Sequence, residues 1–261
     1  MLSKVLFFVA AIVATTHAFD LQANEKVPVP ASVIDLGALV TADLAARMNG
    51  TRWLTDLKYT EPNSFRVRRW TNGPISGQNS YYTFFNHGGP HVDAPNHFGF
   101  GGGLNTYPIE SFSGSLRVFD VTDHAPGYSI PSSVFKNQGL TNEDVVIIYT
   151  GYTPPAEGEL PRAVALTREA ALYLASIPIR AFGTDAYSAG SRSGTYPVDA
   201  DTEVASSAPV HEAFLSRSIP IYEVLQNVNQ LVGRENLFFV GVPLNIENGD
   251  GMLVRPVVFA Y

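Results

Sequence analysis

The chain has no cysteine, which removes disulfides, thiolate metal ligands and thiol nucleophiles together. Any metal site must therefore be built from nitrogen and oxygen donors. Charge is scarce at 16% of residues, and acid exceeds base, 24 to 17, for a formal net charge of −7. Such a surface suits nucleic acid poorly, because phosphate recognition needs a basic face. The one basic cluster, Arg66-Val67-Arg68-Arg69, reads as a solvated strand or loop. After residue 18 no apolar run approaches the roughly 20 residues a helix needs to cross a bilayer, so no membrane span is expected. Repeats, low-complexity tracts and clear linkers are also missing.

Residues 1–18 read as a secretory signal peptide, with Lys4 as the positive region, an apolar run over 5–14 and Thr16-His17-Ala18 at the cleavage point. The expectation is a secreted, extracellular protein with one domain over 19–261. Loss of Lys4 makes the remainder one charge more acidic. Without disulfides it must be held by its core, by assembly or by a bound ion. Asn49-Gly50-Thr51 is the single glycosylation sequon.

Histidine is rare as well, six in all, yet three of them lie in His87-Gly88-Gly89-Pro90-His91-Val92-Asp93-Ala94-Pro95-Asn96-His97. Imidazole and carboxylate are the donors that zinc and manganese take. The glycines and prolines make a helix improbable there, so the segment should be extended or looped at a strand end. His91 and Asp93, two apart, then project to one side, and Gly88-Gly89 lets the chain bring His87 round. A hydrogen-bonded histidine cluster is the alternative. Downstream, Glu223 lies in the apolar run Ile219–Leu225, where a carboxylate is costly unless paired or ligated. His211, in Val210-His211-Glu212, fits a ligand or an ordinary polar residue. His124, in a Pro/Gly loop, should be exposed and uninvolved.

Strands are expected at 80–85, 116–121, 237–242 and 253–261, the last with Pro256 favouring an edge or bulge. Asp144–Tyr149 reads as a strand buried on both faces. Thr167 should cap a helix over Arg168–Ser176 with Ala171, Leu174 and Ala175 inward, ended by Pro178. Shorter helices are expected over 43–48 and 212–217. The mixture indicates an α/β fold with a substantial sheet.

The histidine segment resembles the motif His-x-Gly-Thr-His-x-Asp-x-Pro-x-His of the cyclase family of metal-dependent hydrolases, which includes bacterial-type kynurenine formamidase and isatin hydrolase. Pro90 stands where that family usually has Thr. The resemblance continues through Asp144–Tyr152 (Tyr152 replacing Trp), Leu166–Ala175, Phe182–Ser188, Pro209-Val210-His211, Glu223, Gly249-Asp250-Gly251 and Val254–Val257. It implies a swivelling β/β/α domain with a substantial mixed sheet, assembled as homodimers or homotetramers. It also implies one or two divalent ions per subunit, zinc or alternatively manganese. His87, His91 and Asp93 would hold one, and Asp93, His211 and Glu223 the other, with Asp93 bridging. His97 would be the catalytic acid–base.

Asp185 and Ser188 would be turn residues or would orient a ligand. Arg255 would meet a substrate carboxylate or form a structural ion pair. The implied reaction is hydrolysis of a C–N bond in a small aromatic amide, arylformamidase-type, with N-formylkynurenine the leading substrate. Isatin-like lactam or lactone opening, or a cyclisation, is the alternative, and a non-catalytic secreted metal-binding or interaction protein is a third reading.

Overall fold

The structure is a computed structural model that describes residues 28–41, 64–72, 74–124, 128–154, 164–190 and 209–261. The expected leader, the Asn49 sequon and the short helix over 43–48 lie outside the described residues. None of the described helices is long and apolar enough to cross a membrane.

Asp144–Tyr149 forms a strand at the centre of the molecule, with its first five residues buried. Its apolar residues carry no face preference, because both faces of the sheet are covered. Val146 and Ile148 point into one apolar cluster, and Val145 and Ile147 into the other. Numbered along the chain, the strands of this sheet are β1 (Ser32–Asp35), β4 (His91–Asp93), β5 (Ser113–Asp120), β7 (Asp144–Tyr149), β9 (Ala181–Thr184), β10 (Ile221–Glu223), β11 (Leu237–Val240), β12 (Gly251–Leu253) and β13 (Val257–Ala260). Among the described residues they make a nine-stranded sheet of order β1-β13-β11-β5-β7-β9-β10-β4-β12. The β5, β7, β9 and β10 run is parallel, and both flanks are antiparallel.

Two further strands, β2 (Ser64–Asn72) and β3 (Ile75–Thr83), pair with each other. Arg66, Arg68 and Arg69 are exposed on that ribbon, as the solvated reading requires. The short β6 (Ser129–Ile130) and β8 (Ala165–Leu166) form a small parallel pair.

Helix α1 (Arg168–Ser176) begins and ends where the sequence indicates. The Thr167 hydroxyl accepts the Ala170 N–H at 3.0 Å, and Ala171, Leu174 and Ala175 are buried. Helix α2 (Pro209–Leu215) sits earlier than expected. Its turn closes at Ser218, which takes a positive φ of 54° while the Ile219 N–H donates to the Phe214 carbonyl. That closure keeps Ser216 and Arg217 out of the helix. Both helices pack on one face of the sheet through Leu174, Val210 and Phe214 against Phe182 and Ile221.

The closing strand is also shorter than expected. Residues 253–261 divide into the end of β12 and all of β13, with Pro256, which has no N–H to donate, between them. His124 is half-buried rather than exposed, stacked on Tyr128 at 4.3 Å.

The core and the cap differ in what they contribute, and the difference is measurable. Ile147→Ala should cost about 2–5 kcal/mol in denaturant unfolding, and Thr167→Ala about 1 kcal/mol. The reverse order would mean that β7 is not the centre of the core.

Candidate metal centre

Strand β4 is three residues long and carries the first half of the site. It lies between β10 and β12, with His91 opposite Glu223 and Asp93 opposite Ile221. Paired residues on antiparallel strands share a face, so His91, Asp93 and Glu223 all emerge on the helix-covered side. Val92, Tyr222 and Met252 emerge on the other and are absorbed into the apolar cluster there. Period-two alternation thus delivers imidazole and carboxylates to one face and hydrocarbon to the opposite one.

The remaining side chains arrive from loops and a helix. The turn at residues 86–90 precedes β4 and supplies His87, and the 3₁₀ turn Pro95–Phe98 follows it and supplies His97. Helix α2 supplies His211, whose ring stacks on Phe98 at 4.6 Å between centroids. The five sequence-expected ligands converge as follows. Asp93 Oδ1 lies 2.9 Å from His87 Nδ1 and 3.2 Å from His91 Nε2, while Asp93 Oδ2 lies 3.7 Å from His211 Nε2. Glu223 Oε2 is 3.5 Å from His91 Nε2, and Glu223 Oε1 is 3.0 Å from His211 Nε2.

The grouping of potential donor atoms differs in part from the one the resemblance implies. Ligand atoms of His91, Asp93 and Glu223 lie together, and so do those of His87, Asp93 and His97. Asp93 is common to both groups, as a bridging carboxylate would be. His97, expected to act on substrate, has its ring stacked on His87 at 4.1 Å.

A divalent ion fits this donor set. Asp93 is fully buried, yet neither of its oxygens has a hydrogen-bond partner among the described residues. The same holds for His87 Nδ1 and His91 Nε2, which face it. A buried carboxylate is costly unless positive charge stands against it, either protonated imidazoles or a bound ion, and ligation removes that cost. The spacing agrees, since two donors about 2.1 Å from a tetrahedral ion are roughly 3.4 Å apart. The chain also aims its donors. Among the described residues the Gly89 carbonyl lies against His91 Nδ1 at 2.7 Å, so in the neutral ring Nδ1 carries the hydrogen and Nε2 is the nitrogen left for an ion. The Ala189 N–H donates to Glu223 Oε1 at 2.6 Å and holds that carboxylate in place.

Electrostatics among these side chains show the same demand for positive charge. Burial opposes charging of His91, but the Asp93 and Glu223 carboxylates outweigh it and carry the imidazole up to about 10. Burial and the Asp93 charge push Glu223 up, yet the His211 and His91 rings bring it down to about 2. Asp93 is held well below the usual carboxylate range against a large burial penalty, chiefly by His91 and His87. His97 goes the other way: burial lowers its pKa and leaves it neutral at pH 7.

Two groups near the site had no assigned role in the sequence. Asp250 Oδ2 lies 3.0 Å from His87 Nε2, and its only prior signal was the Gly249-Asp250-Gly251 stretch. Tyr107 has a buried hydroxyl with no hydrogen-bond partner among the described residues, and burial and then the Asp93 charge raise its pKa. Nothing in its local sequence separates it from a core tyrosine. Asp185 ties the end of β9 to the segment after β7 rather than bracing its own turn: it accepts from the Thr150 N–H at 2.8 Å, the Thr150 hydroxyl at 2.7 Å and the Tyr152 N–H at 3.2 Å. Arg255 donates to Asp35 at 2.9 and 2.7 Å, a structural ion pair. Pro90, which has no N–H, contributes its carbonyl to the Val254 N–H.

A proton on His91 and an ion at the same place exclude each other. Because the fold raises that pKa, the proton stays bound through neutral pH and must leave when an ion binds. Zinc affinity should therefore climb by about tenfold per pH unit for each proton displaced, between about pH 6 and pH 8, with proton release seen by calorimetry in buffers of different ionisation enthalpy. Affinity that is flat across that range would show that no protonated imidazole is displaced.

A family model described as "Putative cyclase" matches residues 15–191. The kynurenine formamidase of Salinibacter ruber is 32% identical over 174 residues, which is 66% of this chain and 75% of that one. Isatin hydrolase A from Labrenzia aggregata superposes with a TM-score of 0.67 at 19% identity, over 88% of this chain and 93% of that one. A predicted metal-dependent hydrolase from Bacillus stearothermophilus superposes at 0.59 with 22% identity, over 88% and 98%. The buried His/Asp/Glu cluster, the mixed nine-stranded sheet and these likenesses lead to one assignment: the chain belongs to the cyclase family of metal-dependent hydrolases.

Proposed function

We propose that the protein is a secreted, divalent-metal-dependent amidohydrolase of arylformamidase type, cleaving the formyl C–N bond of an aromatic formamide such as N-formylkynurenine. The observation that carries the metal-dependent part is the buried Asp93 carboxylate, which has no hydrogen bond among the described residues and is faced by the imidazole nitrogens of His87 and His91. The substrate class rests on the 32% identity to a kynurenine formamidase. The extracellular address rests on the leader-like residues 1–18.

His87, His91, Asp93, His211 and Glu223 would hold the ion, with zinc the first candidate and manganese the second. When bound, such an ion supplies a water whose pKa falls from 15.7 to about 7 and polarises the carbonyl being attacked. The protein's own side chains do the rest. The buried carboxylates of Asp93 and Glu223 would offset the charge of the cation. His97, kept neutral by burial, accepts the proton of the attacking water and returns it to the departing amine nitrogen. Water adds to the formyl carbon, the C–N bond breaks, and formate and the free arylamine leave. Phe98, beside His97 and stacked on His211, gives an aromatic wall at the point where an aryl ring would approach.

His97→Ala should keep full metal content and lose about 10²–10⁴-fold in kcat/KM. In the parent protein the acid limb of the pH profile should have an apparent pKa below 6.5, because His97 works as the base only when neutral and its pKa is lowered. Full turnover in His97→Ala would remove it from the mechanism. A panel of aryl formamides, lactams and lactones tests the substrate class. Faster turnover of lactams would move the protein to isatin-type ring opening. Protein recovered from the medium should begin at Phe19.

A further inference from the structure

The two histidines nearest Asp93 present different ring nitrogens to it: Nδ1 from His87 and Nε2 from His91. A neutral imidazole has one N–H, so each ring needs a partner that fixes which nitrogen carries it. For His91 that partner is the Gly89 carbonyl. For His87 it is the side chain of Asp250, far away in sequence, whose Oδ2 lies 3.0 Å from Nε2.

Asp250 is itself held. The Asn86 amide donates to Asp250 Oδ1 at 2.9 Å and to the Gly251 carbonyl at 3.1 Å. The Asp250 carbonyl accepts the Ala94 N–H at 2.9 Å, which pins this segment to the residue after Asp93. Gly251 adds a steric constraint. A Cβ there would stand 2.5 Å from His87 Cε1 and 2.9 Å from Nε2, so the ring lies against bare backbone. Asn86, Asp250 and Gly251 thus locate the His87 ring from one side, while Nδ1 faces Asp93 from the other. His97 Nδ1 is 3.6 Å from the same Asp250 oxygen, too far for a hydrogen bond.

We infer that Asp250 is a positioning residue for the metal centre: it accepts the Nε2–H of His87, sets that tautomer and leaves the Nδ1 lone pair for the ion. The inference rests on the metal-dependent reading of the site. Asp250 is not among the residues that would hold the ion. Its effect passes through His87, in the carboxylate–histidine–metal order that raises ligand basicity and fixes ring orientation.

The test compares zinc affinity of the parent protein and Asp250→Ala by chelator competition, with His nitrogen resonances of the zinc-loaded parent read by long-range ¹H–¹⁵N NMR. Asp250→Ala should bind zinc about 10–100-fold more weakly. The parent should show His87 protonated at Nε2 and coordinating through Nδ1. This second readout needs no variant to fold, and a purely structural role for Asp250 would not dictate it. Unchanged zinc affinity in Asp250→Ala, or coordination of His87 through Nε2, overturns the inference while leaving the metal-dependent reading in place. A parent protein that takes up no zinc or manganese overturns that reading itself.

Discussion

Asp93 is a fully buried carboxylate with no hydrogen bond to either oxygen among the described residues, and the rest of the site is organised around the demand this creates. An ionised carboxylate in such a place is sustained only by positive charge close by. In the ion-free protein, protonated imidazoles can supply it, and His91 is shifted upward to do so. A divalent cation would supply it directly, held by Asp93 together with one of the two donor groups that share it, His91 with Glu223 or His87 with His97. The cluster can be read as a cation socket whose occupancy is contested by protons.

The sheet makes that socket affordable to the fold. One short strand, β4, sends His91 and Asp93 to the helix side and Val92 to the opposite core, and β10 repeats the pattern with Glu223 and Tyr222. The polar cluster therefore opens no gap in the hydrocarbon on the far face. It also explains why three segments far apart in sequence are needed: β4 and its flanking turns, α2 with β10, and the Asp250 turn before β12. Each supplies groups that the other two cannot reach.

Much of this was legible in the residues. The β7 strand, buried on both faces, announced itself by an unbroken run of Val and Ile, and α1 by a Thr cap and a small-residue face. The histidine segment showed its chemistry through residue type and spacing, and Glu223 through its cost inside an apolar run. What failed to show depended on contacts made at long range. Asp250 is chemically ordinary until Asn86 and His87 are brought beside it. Tyr107 looks like any core aromatic until its hydroxyl is found buried and unpartnered. The α2 boundary moved because a non-glycine residue, Ser218, adopted the left-handed conformation, which local propensity does not anticipate. The sharing of His87 and His97 around Asp93 likewise follows from the turn on each side of β4, not from spacing along the chain.

The most direct test of the cation socket is anomalous diffraction at the zinc and manganese edges from crystals of the full chain grown with each metal. The account predicts an anomalous peak about 2.0–2.2 Å from an Asp93 oxygen, with His91 Nε2 among the ligands. A map without a peak at Asp93, in protein grown with either ion, would contradict it.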